Sequence, residues 1–211
     1  RPNTAPPIPE TDLFAYAGGD PIHFYDPLGL YKIEIQLPHW GPKMERNNFR
    51  DQHGILILRK NNGHPLMGPF KVLGRSSNEW KEDGKKVTNQ NKNRDPVHKY
   101  GDTPTGIYEV GTIQPRADKK VYGPHRAIQM VPVSGDASTA AQNGRSGLLI
   151  HGGRDSEKTR FGDNLVPTKG CIRMHDKDIL ALINEINRLK KEEHDEEGTI
   201  DISEYSLSFG R

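Results

Sequence analysis

The chain holds a single cysteine, Cys171, in the run Thr168-Lys169-Gly170-Cys171-Ile172-Arg173. A thiol becomes a nucleophile when a base takes its proton or when fixed positive charge favours the thiolate. Both are available in this sequence. His151 stands twenty positions upstream, directly after the apolar run Gly147-Leu148-Leu149-Ile150, and can act as base or as the imidazolium of an ion pair. Lys169 and Arg173 flank the cysteine at i−2 and i+2, and in an extended segment they share its face. Gly170 removes the side chain beside the sulfur, so that backbone N–H groups can approach a reacting carbonyl oxygen as an oxyanion hole. The competing reading is an inert buried thiol, beside a histidine bonded only to loop backbone. Gly152-Gly153 then allows unusual dihedrals next to the base, or forms a plain turn.

Other chemistries find less support. His53, His64, His98, His125 and His175 are scattered, no His-Glu-x-x-His is present, and no metal site is expected. Nothing supplies the acids and metal of a nuclease. One cysteine excludes an internal disulfide and a Cys-rich zinc site, and is compatible with an oxidising compartment.

The elements that must position these groups are mostly strands. Hydrophobic residues make up 32% of the 211, while Gly and Pro number 22 and 16, which favours a loop-rich β protein. Alternation over Tyr31–Leu37 predicts a strand with one buried face. Ile55–Leu58 is apolar throughout and suits a strand covered on both faces. Asn61-Asn62-Gly63 supplies a hairpin turn before a return strand at Phe70–Leu73. Ile107–Ile113 and Ala127–Val133 read as further strands, and Gly147–Ile150 as the strand that delivers His151. One helix is clear, with Ile179, Leu182, Ile183, Ile186 and Leu189 on one stripe, Asp176 as its cap and Gly198 as its stop. In the closing strand the apolar positions move from Ile200 and Ile202 to Tyr205, Leu207 and Phe209, which predicts a bulge near Ser203-Glu204. Residues 75–101 are polar and read either as a solvated insertion or as a lid over the site.

The net charge of +2 is too small to argue for nucleic acid. No apolar run approaches the ~20 residues of a membrane span. Residue 1 is arginine and no signal peptide is visible, so the chain is expected to be a piece of something longer, with export not encoded in it.

The pattern around the cysteine resembles the catalytic domain of L,D-transpeptidases (the YkuD type), in which a His-Gly strand end is followed by a variable loop and by Ser/Thr-His-Gly-Cys, an apolar residue and Arg or Asn. His151, Gly152, Thr168, Gly170, Cys171, Ile172 and Arg173 fill these places, and Thr103-Pro104-Thr105-Gly106 resembles the family's turn before a strand. The resemblance covers roughly residues 31–205. It implies a mainly β fold, an L,D-transpeptidase-like sandwich or barrel with one clear helix in its C-terminal half and a long polar insertion. It also implies Cys171 as nucleophile, His151 as the group taking its proton, and the Gly152 carbonyl orienting the imidazole. The N–H groups of Gly170 and Cys171 become oxyanion donors. Arg173 holds the site or an acidic substrate group, with Thr168 and Lys169 at the substrate. The expected substrates are peptidoglycan stem peptides, and no cofactor is required. One departure is Lys169, where the family usually has histidine; an ammonium stabilises negative charge but is a poor proton shuttle at neutral pH.

A second resemblance lies at the other end. Tyr16, Gly18, Pro21, Asp26, Pro27, Gly29 and Leu30 fit the signature that closes the Rhs-repeat-associated core of polymorphic toxins. On composition alone the same stretch reads as two turns around a short aromatic strand. The resemblance implies cleavage after Leu30, with Asp26 as one acid of the cutting machinery and its upstream partner acid absent here. Residues 1–30 are then the tail of the core and 31–211 the catalytic toxin. The combined expectation is a secreted effector acting in the periplasm or wall of a target bacterium, restrained by a cognate immunity protein. The alternative is a non-catalytic wall-binding or delivery module with a vestigial site.

Overall fold

Apolar–polar alternation makes β1 (Tyr31–Pro38) a strand that buries Tyr31, Ile33, Ile35 and Leu37 on one face. A computed structural model of the chain describes residues 31–38, 53–76, 79–88, 94–154, 165–193 and 198–205. The motif at Tyr16, Gly18, Pro21, Asp26, Pro27, Gly29 and Leu30 lies outside the described residues, as do Leu207 and Phe209. β1 pairs antiparallel with β2 (Gly54–Lys60), which turns through Asn61-Asn62-Gly63 into β3 (Pro65–Val72). Ile55–Leu58 is not covered on both faces: Leu56 and Leu58 are buried, but Ile55 is 36% exposed. Strand periodicity sends alternate side chains to opposite faces, and only one face meets the core.

On its other side β1 runs parallel to β10 (Gly198–Tyr205), whose partner is β6 (Gly106–Pro115), followed by β7 (Arg126–Ser134), β8 (Leu149–His151) and β9 (Ile172–Arg173). The predicted bulge in the last strand is absent from the described residues. β1 and β10 stay in step from Tyr31↔Gly198 to Pro38↔Tyr205, straight through Ser203 and Glu204. Tyr205 needs no core position, because its hydroxyl donates to the His53 carbonyl at 3.3 Å. Glu204 is held by Arg94, which reaches it at 2.5 Å and also donates to Thr103 O at 2.9 Å.

The eight-stranded sheet curls until its two ends meet. Leu73, immediately after β3, exchanges backbone hydrogen bonds with Arg173 of β9 at 2.9 and 3.0 Å, and Ser76 bridges to Thr168. The fold is mainly β, a near-barrel, and it closes at the segment that carries the cysteine.

The predicted helix is α3 (Asp176–Glu193), and its stripe Ile179, Leu182, Ile183, Ile186 and Leu189 is fully within the core. Each such side chain contributes about 1.5–3 kcal/mol by leaving water. Asp176 does not cap it from outside; it is the first helical residue, and its carboxylate accepts the Gly153 N–H at 2.7 Å. Gly198 opens β10 and is not the residue that ends α3, whose last turn closes at Glu193. Two shorter helices were not anticipated. They are α1 (Lys119–Tyr122), with Asp118 capping Val121 N at 3.0 Å, and α2 (Asp136–Gln142), which buries Ala137 and Ala140.

The polar stretch 75–101 is not wholly a solvated loop. It contains a small hairpin of β4 (Glu79–Glu82) and β5 (Lys85–Thr88), but Arg75, Ser76 and Arg94 are buried. Asp102 accepts both the N–H and the hydroxyl of Ser76 at 2.8 Å, binding the start of the insertion to its end. Among the described residues no helix is long and apolar enough to cross a membrane.

Candidate active site

β8 and β9 run parallel, with Ile150 opposite Ile172 and His151 opposite Arg173. Ile150 and Ile172 are fully buried on the core face. His151 and Arg173 therefore lie together on the opposite face, and Cys171, one residue before β9, joins them by the two-residue period. A hydrogen bond from the Leu149 backbone to the sulfur agrees with that register. The strand that delivers the histidine is thus Leu149–His151; Gly147 precedes it at φ +71°.

His151 is 1% exposed and tightly specified. Its Nδ1 lies 2.7 Å from the Gly152 carbonyl, so Nδ1 carries the proton and Nε2 is left as the basic atom. The Tyr122 ring packs edge-on against the imidazole with centroids 5.0 Å apart. Burial, then the nearby Arg173 charge and a smaller effect of Arg116, push the histidine down to about 3, despite the favourable Gly152 bond. The imidazole is neutral at physiological pH.

Arg173 is 2% exposed and does not reach out toward solvent. Its Nη1 donates to the carbonyls of Gly152, Gly153 and Val121 at 2.7, 2.8 and 3.0 Å. The Gly152 oxygen therefore serves the arginine and the histidine together. Of the two roles expected for Arg173, this geometry fits holding the site and not binding an acidic substrate group. Asp176 completes the clamp through Gly153 N. A Cβ on Gly152 would sit 2.1 Å from the Asp176 carboxylate oxygen, which is why glycine stands there.

Around the cysteine the bonding is thinner. Thr168 closes the turn, its hydroxyl donating to the Cys171 carbonyl at 2.8 Å and accepting from Gly170 N at 3.2 Å. Thr168 is buried and acts on the turn itself, not as a group presented to substrate. The expected pair of oxyanion donors is altered accordingly: Gly170 N–H is already given to Thr168, and Cys171 N–H remains the candidate. Gly170 has φ +108°, and a Cβ there would meet the Arg145 guanidinium at 2.7 Å. Glycine is needed for that bend and that crowding. The bend also takes Lys169 off the face that Cys171 and Arg173 share. Lys169 is exposed, with its ammonium 4.6 Å from the centroid of the Tyr100 ring.

Cys171 is half-buried, and its Sγ–H points to the Gly147 carbonyl at a loose 3.9 Å. Burial pushes the thiol up; the Leu149 bond and the charges of Arg173, Arg116 and Arg145 oppose that. The resting pair is a neutral thiol and a neutral imidazole. Spacing pointed to none of Arg116, Arg145, Tyr122 or Asp176 as site residues. Arg145 is buried and fixes the loop beside the cysteine through Pro96 O, Gly101 O and Asp102 O at 2.9–3.0 Å. Among the described residues no group of three His, Cys, Asp or Glu side chains could hold a metal ion.

The family model for the L,D-transpeptidase catalytic domain (YkuD) matches residues 94–199, half of the chain. Among solved structures, the chain is similar to Bd1075 from Bdellovibrio bacteriovorus at 15% identity and a TM-score of 0.44, covering 84% of this chain and 48% of that one. The helical cell shape determining protein Pgp2 from Campylobacter jejuni gives 15% identity and a TM-score of 0.45, covering 83% and 48%. An L,D-transpeptidase from Xylanimonas cellulosilytica gives 12% and 0.37, covering 82% and 60%. The chain thus spans about half the length of the first two. No curated protein matches the sequence.

Proposed function

Because the chain belongs to the family of L,D-transpeptidase (YkuD) catalytic domains, a membership that implies peptidoglycan-related activity, we propose that Cys171 performs acyl transfer on peptidoglycan stem tetrapeptides. The bond attacked is the one between the L-centre of meso-diaminopimelate and D-alanine. The observation that carries this reading is the pairing of β8 with β9, which sets a histidine with a fixed tautomer on the same sheet face as the thiol.

The Sγ proton turns from Gly147 O to His151 Nε2 as sulfur attacks the carbonyl carbon, with Cys171 N–H facing the developing oxyanion. The C–N bond breaks, His151 returns the proton to the departing amine, and D-alanine leaves a thioester on Cys171. Water, a free D-amino acid or a second stem then attacks the thioester while His151 takes its proton, and the thiol is restored. Water yields L,D-carboxypeptidase activity, the amino acid yields exchange, and the stem yields a 3→3 crosslink. A neutral imidazole suits a base that works during the step, in place of a preformed ion pair.

The signature over residues 16–30 supports reading the domain as an antibacterial effector released from an Rhs core, with a cognate immunity protein as partner. Trimming or exchange, which removes crosslinking donors, fits that purpose. Incubated with residues 31–211, disaccharide tetrapeptide releases D-alanine in this reading, leaving a tripeptide lighter by one alanine residue or a dimer lighter by one alanine; intact substrate beside an active control sinks it. The upward push on the Cys171 thiol favours a second reading, a wall-binding module with a vestigial site. In that case toxicity on periplasmic expression survives Cys171→Ala; in ours it disappears.

A further inference from the structure

Among the described residues, Arg116, Arg145, Arg173 and Lys169 stand near the catalytic pair, and the last three are occupied. Arg173 is spent on the carbonyls of Val121, Gly152 and Gly153. Arg145 is spent on those of Pro96, Gly101 and Asp102. Lys169 lies over Tyr100. Arg116 differs. It follows the last residue of β6 and precedes α1, the element whose Tyr122 ring touches His151 and whose Val121 carbonyl holds Arg173. Its Nε is buried and has no hydrogen-bond partner among the described residues. Its charge is felt at both reacting groups, favouring the Cys171 thiolate and disfavouring the His151 imidazolium. A guanidinium fork with a desolvated, unfilled donor is matched by a carboxylate, which it can take bidentately.

The proposed chemistry supplies that carboxylate. D-Alanine bears one on the carbon next to the scissile nitrogen. The free D-amino acid and the D-centre of a second stem's diaminopimelate bear one next to their attacking nitrogen. Water does not. We propose that Arg116 is the anchor for the α-carboxylate of the leaving and incoming amine, and so sets both the requirement for a C-terminal carboxylate and the split between aminolysis and hydrolysis. This rests on the acyl-transfer reading above.

The full chain is assayed with tetrapeptide ending in D-alanine and with the same peptide ending in D-alaninamide, as wild type, Arg116→Gln and Arg116→Lys. The wild type is expected to prefer the carboxylate by roughly 100-fold in kcat/KM, the size of one buried charged hydrogen-bond pair. Arg116→Gln loses most of that preference through the carboxylate substrate alone, and its thioester partitions about tenfold further toward water when D-methionine competes. Arg116→Lys restores part of both. Equal losses on the two peptides, or an unchanged preference in Arg116→Gln, overturn the assignment. Binding of free D-alanine against D-alaninamide to Cys171→Ala protein, with and without Arg116→Gln, needs no turnover. If wild type processes neither peptide, the acyl-transfer reading fails; the anchor stands only if Cys171→Ala protein still binds D-alanine through Arg116, and absent binding overturns it.

Discussion

The two halves of the site are built to different standards. On the base side a chain of bonds fixes the imidazole: Nδ1 of His151 to Gly152 O, Gly152 O also to Arg173, Gly153 N to Asp176, with Tyr122 against the ring. On the nucleophile side one threonine hydroxyl closes the turn and Arg145 fixes the neighbouring loop, but the thiol itself keeps a 3.9 Å contact to Gly147 O and Lys169 is exposed. A base must hold one tautomer and one direction, which needs a supporting shell. The sulfur must leave its resting contact to attack, and the surface beside it must admit substrate. In the proposed reaction, rigidity is concentrated where proton transfer would need it.

The comparison is broken most severely by removing either reacting atom. Cys171→Ala and His151→Ala are each expected to lower thioester formation by at least about 10³-fold. The melting temperature of Cys171→Ala should change little, since a thiol is a weak donor and acceptor in its contacts with Gly147 O and the Leu149 backbone. Mass spectrometry of the acyl-enzyme and thermal melts read the two effects separately.

Next in size is the support of the base. Arg173→Met strips Val121, Gly152 and Gly153 of their charged donor and is expected to cost about 3–5 kcal/mol, the range for breaking a buried charged network. Activity falls with it, because the Gly152 carbonyl then has only the histidine to hold it. Thr168→Val, the matching change on the nucleophile side, removes two bonds of an ordinary hydroxyl and is expected to cost about 1–2 kcal/mol. Urea titrations of both variants test the contrast; comparable losses would mean that the two halves are equally braced.

Acid also acts on the base side first. His151 titrates near pH 3 when folded and near its ordinary value of about 6.5 when unfolded. Between those values the unfolded chain binds the extra proton, so stability is complete above about pH 6.5 and declines as pH falls toward 3. The slope from this one group is about 1.4 kcal/mol per pH unit. The thiol moves the other way: burial holds it protonated beyond the ordinary thiol range, so iodoacetamide alkylation of Cys171 should rise with pH later than that of a free cysteine. A kcat/KM profile with an acid limb near 6.5 would show that His151 is not buried as described.

How much of this could be read beforehand follows from the range of each interaction. Strand periodicity located β1, and helical periodicity located α3, because each pattern is local and repeats. The histidine was legible at the end of an apolar run and the cysteine by its glycine and flanking cations, whereas the role of the Gly152 carbonyl was implied by the family resemblance. What escaped notice depends on contacts between distant segments. Leu73 and Ser76 close the sheet on Arg173 and Thr168 across about a hundred positions, and nothing in the polar stretch 75–101 advertises that. Arg173 and Lys169 looked equivalent at two places from the cysteine, yet a single dihedral at Gly170 separates a buried clamp from an exposed rim. Arg116 and Asp176 act through space and have no spacing to betray them. The parity shift after Ile202 was overread, because Tyr205 pairs in register while it is only partly buried.

Lys169 itself gives the smallest expected effect and the sharpest test of the open half. Its position carries histidine in the family pattern, and here its ammonium rests on the Tyr100 ring, which Lys99 also approaches at 4.9 Å. Two cations against one aromatic ring repel each other. A cation–aromatic contact at such an exposed place contributes about 0.5–1 kcal/mol, so it holds Lys169 only weakly. An imidazole at 169 removes most of that repulsion at neutral pH and adds a group that can pass protons. Lys169→His should therefore leave thioester formation within about threefold and the melting temperature nearly unchanged. The ratio of water to amine products should shift as pH crosses the histidine range, a dependence the lysine protein lacks. If the ratio stays flat, the residue at 169 takes no part in choosing the acceptor, and the open half of the site serves only to admit substrate.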